Sequence, residues 1–147
     1  MSGAAPAGGA GTGAGTGGRG SALLDTHLLL WAATGSPRLP AGARAALADA
    51  RFRPVFSVAS LWEVTIKAGL GRADFRVDAA ALRRGLLAGG YDELPIRADH
   101  VLRVARLPPH HADPFDRVLL AQAAAEGLPL WTADAAVLRY GAPAAAP

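Results

Sequence analysis

The sequence has 147 residues, 51% of them hydrophobic and 18% charged, and its formal net charge is +3. A chain of this length can form one domain with a substantial core, and so small a charge does not by itself indicate nucleic-acid binding. The absence of cysteine excludes disulfides, thiolate metal sites and a cysteine nucleophile. No apolar run approaches the ~18 residues that cross a bilayer, and the start lacks a signal-peptide pattern. We therefore expect a cytoplasmic globular protein without a membrane partner.

The two ends of the chain differ from its middle in composition. Residues 1–20 hold nine of the eighteen glycines and no large apolar residue except Met1, so we expect a disordered tail. Residues 13–18 match the dinucleotide pattern G-x-G-x-x-G, but no strand precedes them and low complexity explains the match. Residues 142–147 contain only alanine and proline and are expected to form a second, flexible tail. The folded domain should span residues 21–141.

Short apolar segments alternate with helical patterns along this domain. The predicted strands cover residues 22–25, 54–57, 94–96 and 128–132. The predicted helices cover residues 26–33, 41–50, 59–68, 78–87, 98–106, 113–126 and 134–140. Strands that alternate with helices indicate an α/β protein, with a parallel sheet between helices on both faces.

Four acidic residues lie where strands end or helices begin. Asp25 ends the first strand, Glu63 lies in the first turns of the next strand's helix, and Asp134 follows the last strand. Strand carboxyl ends and the helix starts that follow them share one rim of a parallel sheet, so these three carboxylates can converge. Asp116 follows a loop rather than a clear strand, and spacing alone does not place it with the others.

Each of these acids also has a purely structural interpretation. Asp25 and Asp134 could be helix N-caps. Ser60 and Glu63 fit a capping box, and Asp116 could be a first-turn acid favoured by the helix dipole. A cap can equally be Ser, Thr or Asn, however, whereas a metal or acid–base site needs carboxylates. Several carboxylates on one rim repel each other and favour a cation, and all-oxygen sites suit Mg²⁺ or Mn²⁺. Such an ion supports phosphodiester hydrolysis.

Other polar and aromatic residues also admit structural and functional interpretations. Lys67 lies one helical turn after Glu63, either as an ordinary ion pair or as a cation near a substrate phosphate. Asp113 and Pro114 are typical of a helix start, with an N-cap followed by proline. His27 is expected to orient or support the site rather than bind a ligand. The tryptophans lie in apolar runs and are predicted to be core: Trp31, Trp62 and Trp131.

Four segments together resemble the PIN domain family, and within it the VapC-type toxins of toxin–antitoxin systems. They are residues 23–27, 57–64, 113–117 and 130–134. The resemblance covers residues 22–140. It implies a three-layer α/β/α sandwich around a parallel sheet of order 3-2-1-4-5. Members usually end with another apolar strand, whereas residues 141–147 offer no clear one, so the fifth strand is expected to be short or missing.

The same resemblance implies a Mg²⁺- or Mn²⁺-dependent endoribonuclease that acts on RNA, is neutralised by a cognate antitoxin and is usually dimeric. By motif position the family's acidic quartet, the catalytic and metal-binding set, corresponds to Asp25, Glu63, Asp116 and Asp134. Thr132 matches a hydroxyl that helps to hold the metal shell, and Asp113 and Lys67 are supporting candidates.

Two alternatives remain open at the level of sequence. One is the same fold with an inactive site, which would act through RNA or protein contacts alone. The other is a metal-dependent phosphatase of the haloacid-dehalogenase type, which also has an aspartate at a strand end. That family needs a second aspartate two residues on, where this chain has His27.

Overall fold

Five parallel strands form one sheet in the computed structural model, which describes residues 20–110 and 113–147. They are β1 (Ser21–Leu24), β2 (Arg53–Ser57), β3 (Asp92–Leu94), β4 (Leu130–Trp131) and β5 (Ala144–Ala145). Their order is β3-β2-β1-β4-β5, which confirms the predicted 3-2-1-4-5 arrangement. Residues 1–19 of the predicted tail at residues 1–20, with the glycine pattern, lie outside the described residues.

Helices flank the sheet on both faces and complete three layers. They are α1 (Thr26–Thr34), α2 (Ala41–Ala48), α3 (Val58–Gly69), α4 (Ala79–Ala88), α5 (Ala98–Val104), α6 (Pro114–Glu126) and α7 (Ala135–Leu138). Helix α6 begins at the predicted proline, with Asp113 as its N-cap, and ends at Gly127 in the left-handed conformation. Among the described residues, no helix is long and apolar enough to cross a membrane.

The core has two parts because neighbouring residues of a strand face opposite sides of the sheet. Leu23 and Val55 pack in one cluster with Leu119 and Leu120 of α6. Their neighbours in the same strands pack in the other cluster, with residues of α1, α2 and α4: Leu24 and Phe56 with Leu28, Leu29, Ala43 and Leu86. β1 is buried on both faces, as expected of a central parallel strand.

Three strand predictions differ from the structure. The third strand is residues 92–94 rather than 94–96, because Pro95 has no N–H for a ladder and lies just past the strand. The fourth strand is two residues long. Residues 142–147, expected to form a tail, contribute β5, where Ala144 pairs with Leu130. The fifth strand is therefore present and short.

Two predictions about α3 were wrong. The side chain of Trp62 is not in the core: it is 56% exposed and lies edge-on to Phe115, with ring centroids 5.1 Å apart. The N-cap of α3 is Ser57, whose hydroxyl accepts from the Ala59 N–H, so Ser60 and Glu63 do not form a capping box. An apolar run signals burial only on the face that meets another element, and Trp62 lies at the rim of that face.

A buried hydrogen bond joins the end of β2 to α6. The Ser57 hydroxyl donates to Gln122 Oε1 at 2.5 Å, and Gln122 Nε2 donates to the Pro95 carbonyl at 3.2 Å. Both side chains are fully buried. We expect Gln122→Leu to lower the free energy of unfolding by about 1–3 kcal/mol, because it leaves the Ser57 hydroxyl without an acceptor. Urea unfolding measures the change, with the exposed Arg84→Ala as a control that should stay within ~0.5 kcal/mol.

Candidate functional site

The central carboxylate of the site is Asp25, which follows β1 directly and caps α1. Its Oδ1 accepts from the Leu28 N–H at 2.8 Å, and its own N–H donates to the Trp131 carbonyl at 3.0 Å. The residue is only 3% exposed. Helix capping therefore holds Asp25 at the carboxyl edge of the sheet, and the structural interpretation and the functional one are compatible.

A hydrogen-bonded chain connects Asp25 to the end of β4. The Thr132 hydroxyl donates to Asp25 Oδ2 at 2.5 Å, and the Asp134 N–H donates to Thr132 Oγ1 at 3.0 Å. Asp134 in turn caps α7, where its Oδ1 accepts from the Ala136 N–H at 2.8 Å. Thr132 is fully buried. Two residues predicted from separate strand ends thus meet through a single hydroxyl.

The electrostatic balance at Asp25 is unfavourable to a negative charge. Burial raises the pKa of Asp25 above its ordinary value of 3.8, and the negative charge of Asp134 raises it further. The hydrogen bonds from Leu28 and Thr132 and the nearby His27 lower this pKa without cancelling the effect of burial. Among the described residues, no lysine or arginine forms an ion pair with Asp25 or Asp134.

Glu63 lies on α3, on the side that faces the start of α1. It is 5% exposed, and its Oε2 lies 2.8 Å from Lys67 Nζ, so the predicted i,i+4 ion pair forms. One turn earlier, the hydroxyls of Ser60 and Thr26 lie 2.8 Å apart in a buried hydrogen bond. Because Thr26 follows Asp25, this bond fixes α3 beside the first carboxylate. The bond joins residues far apart in sequence, and no local signal predicts it.

Asp113 and Asp116 lie at the start of α6. Asp113 Oδ1 accepts from the N–H groups of Phe115 at 2.8 Å and Asp116 at 3.3 Å, which makes it a true N-cap. Asp116 is half-buried in the first turn. Phe115 packs on Trp62, the neighbour of Glu63, and this contact ties the start of α6 to α3.

A different group of three ligating side chains lies within 4.8 Å of one another in the described chain: Asp99, His100 and Glu126. Its histidine already has two partners. His100 Nδ1 accepts from the Arg97 N–H at 3.0 Å, and His100 Nε2 lies 2.8 Å from Glu126 Oε2. Asp99 pairs with Arg97 through two contacts. This group lies where α5 meets the end of α6, about 20 Å from the start of α6 by helix length. The contacts of this group are those of a helix cap at the start of α5 and of side-chain pairs, and we interpret it as structural.

Comparison with known proteins decides the family. A model of the PIN domain matches residues 22–143. The chain belongs to the PIN domain family. No curated protein matches its sequence.

Solved structures resemble this PIN domain in fold. A crystal structure of VapBC2 from Rickettsia felis, bound to a DNA fragment from their promoter, has a TM-score of 0.61 and 12% identity. That likeness covers 86% of this chain and 97% of the other. A toxin–antitoxin complex from Klebsiella pneumoniae has a TM-score of 0.58 and 21% identity, over 84% of this chain and 95% of the other.

Within this PIN domain, the site residues predicted from sequence fall into two groups. Asp25, Thr132 and Asp134 are connected by hydrogen bonds at the ends of β1 and β4. Glu63 and Asp116 lie on helices that flank this edge, and no described group of three carboxylates from the quartet comes within 4.8 Å. Their joint role as a metal site stays a prediction.

Asp25→Asn should stabilise the metal-free domain at neutral pH, because the folded state disfavours the negative charge of Asp25. A raised pKa in the folded state means that the ionised carboxylate lowers stability as pH rises from about 4 through that raised pKa. The variant's advantage in thermal midpoint should therefore grow over this interval and then level off, measured in EDTA by differential scanning calorimetry.

Asp78→Asn is the matched control, because Asp78 also caps a helix but is exposed. Asparagine caps about as well as aspartate, so this variant should change the midpoint little at any pH. An Asp25→Asn midpoint equal to or below that of the wild type at pH 7 would contradict the raised pKa.

Proposed function

We propose that this PIN domain is a metal-dependent endoribonuclease and the toxin of a VapC-type toxin–antitoxin pair. The observation that carries the proposal is the buried, hydrogen-bonded Asp25, with Asp134 beside it and no ion pair from lysine or arginine to either among the described residues. Buried carboxylates that repel each other and lack a counter-charge favour a bound cation. Family membership supports nuclease activity.

The residues present fit a hard divalent cation. The carboxylate and hydroxyl oxygens at the site are the donor set of Mg²⁺ or Mn²⁺, and the sequence contains no cysteine that could offer a thiolate. Asp25, Glu63, Asp116 and Asp134 would hold the ion. When bound, the ion would neutralise phosphate charge and activate a water molecule.

Side chains and backbone groups of this chain would orient the carboxylates and accept the proton. Leu28 N–H and the Thr132 hydroxyl each occupy one oxygen of Asp25, which fixes the orientation of that carboxylate. Asp134 Oδ1 is held by the Ala136 N–H, and its other oxygen has no partner among the described residues. Asp134 Oδ2 is therefore the oxygen that we assign to accept a proton from the attacking water. Lys67, which forms an ion pair with Glu63, is the side chain that we assign as a cation near the substrate phosphate.

The biological setting follows from the resemblance to VapC-type toxins. The two similar solved structures are described as a VapBC2 protein and a toxin–antitoxin complex. We propose a cognate antitoxin as the protein partner, a homodimer as the assembly and the cytoplasm as the location. A small open reading frame next to this gene, whose product suppresses RNA cleavage when added, would support the pairing.

Cleavage of structured RNA should require Mg²⁺ or Mn²⁺ and should stop in EDTA. Asp25→Asn and Asp134→Asn should each lower the rate by about 100-fold or more, because each removes a carboxylate that binds the ion or takes a proton. Gel analysis of labelled RNA measures the rate. Asp99→Asn is the matched control: it removes a carboxylate of the other acidic group and should leave cleavage intact.

Undiminished cutting by Asp25→Asn, or cutting in EDTA, would contradict the mechanism. RNA binding without cleavage under all metal conditions would favour the inactive binding module. Turnover of a small phosphate ester without RNA cleavage would favour the phosphatase.

Metal binding should also be visible without activity. At ~100 times its dissociation constant, a ligand stabilises a folded protein by about 2.7 kcal/mol, which in a domain of this size raises the thermal midpoint by roughly 10 °C. We expect Mn²⁺ to produce such a rise in the wild type and in Asp99→Asn, and a much smaller one in Asp25→Asn. Loss of the rise in Asp99→Asn alone would instead place the ion at the group formed with His100 and Glu126.

A further inference from the structure

A cavity of about 360 Å³ opens beside the acidic edge of the sheet. Its walls come from two stretches of the chain that are distant in sequence, within residues 26–38 and within residues 67–75. The residues that matter here are Thr26 and His27 of α1, Arg38, Lys67 of α3, and Arg72 and Phe75 of the segment after α3. We call this space the basic cavity.

The basic cavity adjoins the carboxylates at two points. Thr26 follows Asp25 and shares a hydrogen bond with Ser60 of α3. Lys67 lines the cavity while its Nζ lies 2.8 Å from Glu63 Oε2. A ligand in the basic cavity would therefore lie next to the carboxylates, and a chemical group attached to that ligand could extend over them.

The three cations of the basic cavity differ in how far they are already neutralised. Lys67 pairs with Glu63, and Arg72 makes two contacts, at 3.3 and 3.1 Å, with Asp74, the one acidic residue of the cavity wall. The side chain of Arg38 is exposed and has no hydrogen-bond or ion-pair partner among the described residues. Arg38 is thus the guanidinium available to an external anion, and its planar donors match a phosphate.

The wall of the basic cavity also carries an aromatic side chain. Phe75 is half-buried, and its ring belongs to none of the aromatic pairs of the described chain. Every nucleobase has a face that can stack on such a ring, so this contact tolerates any sequence. The base must be unpaired to reach it. The cavity volume lies at the lower end of the range for small-molecule pockets, which is enough for a single nucleotide.

We propose that the basic cavity binds one unpaired nucleotide of a single-stranded RNA, adjacent to the phosphodiester at the carboxylates. Its base stacks on Phe75, and its phosphate pairs with Arg38. The choice of RNA as the strand rests on the proposed function, whereas the nucleotide site itself rests on the cavity, its free guanidinium and its ring.

Binding is best measured in EDTA with the full chain carrying Asp25→Asn, which should slow turnover strongly and removes one charge that would repel the strand. The probe is a fluorescent single-stranded oligoribonucleotide of mixed sequence, followed by anisotropy. Phe75→Leu should raise the dissociation constant about tenfold, since it keeps apolar volume but loses the stacking face, whereas Phe75→Tyr should bind like the parent.

Salt dependence tests the role of Arg38. In a plot of log affinity against log salt concentration, Arg38→Ala should make the slope shallower by about 0.7, the value for one lost phosphate contact to a single strand. Arg51→Ala is the matched control, because Arg51 is also exposed but precedes β2, at the opposite edge of the sheet from Asp25. It should leave the slope unchanged.

The basic-cavity proposal is overturned if Phe75→Leu and Arg38→Ala both bind within twofold of Arg51→Ala, or if an RNA duplex binds with the same dependence on Phe75. The nuclease proposal fails separately. If binding depends on Phe75 and Arg38 but the wild type cleaves no RNA with Mn²⁺, the cavity stands and the endoribonuclease does not.

Discussion

The hydrogen bond from Thr132 to Asp25 is the contact on which the site depends. It joins the ends of β1 and β4, two neighbouring parallel strands whose residues lie 107 positions apart. The register that pairs Leu24 with Trp131 brings the next residue of each strand to the same edge. The hydroxyl then holds one aspartate through its donor and the backbone of Asp134 through its acceptor. The buried Thr132 hydroxyl, positioned by the pairing of β1 with β4, thus sets the placement of two carboxylates. Burial of Asp25 disfavours its negative charge, and a bound cation would offset that cost.

Negative and positive side chains occupy separate parts of the carboxyl edge of the sheet. Carboxylates occupy the strand ends, while cations line the space beside them, and Lys67 connects the two regions through its pair with Glu63. In the function that we propose, such a division would suit a polyanion that approaches carboxylates, because the basic groups would attract the strand and a bound metal ion would offset the repulsion near Asp25. The net charge of +3 conceals this arrangement, because composition does not record where charges lie.

Local signals in the sequence predicted most of the fold. Asp113, Pro114 and Gly127 predicted both ends of α6, and alternating apolar segments predicted the parallel sheet. Predictions were wrong where a neighbour in space decided the outcome, as with the exposed Trp62 and with the strand at residues 144–145, whose alanines gain order by pairing with β4.

Asp25 and Asp134 were found from their positions at strand ends, but their contacts were not. Asp25 and Asp134 meet through Thr132, which the sequence indicated only by family resemblance. The bond between Thr26 and Ser60, and the cavity formed by α1, α3 and the segment after α3, require the packed structure. A pattern of residue types records which chemistry is available, whereas the distance between two side chains depends on register and helix packing.

Thr132 and Asp134 lie in a segment with little regular secondary structure on either side. Both follow a two-residue strand, and the helix that comes next has four residues. Segments with so few backbone bonds open at a lower free energy than the whole domain. If only this segment opened, the Thr132 hydroxyl would move away from Asp25 and the site would lose its geometry. β1, β2 and the large helices would keep their native packing. The activity that we propose for the site would then depend on the stability of this segment rather than on the stability of the fold as a whole.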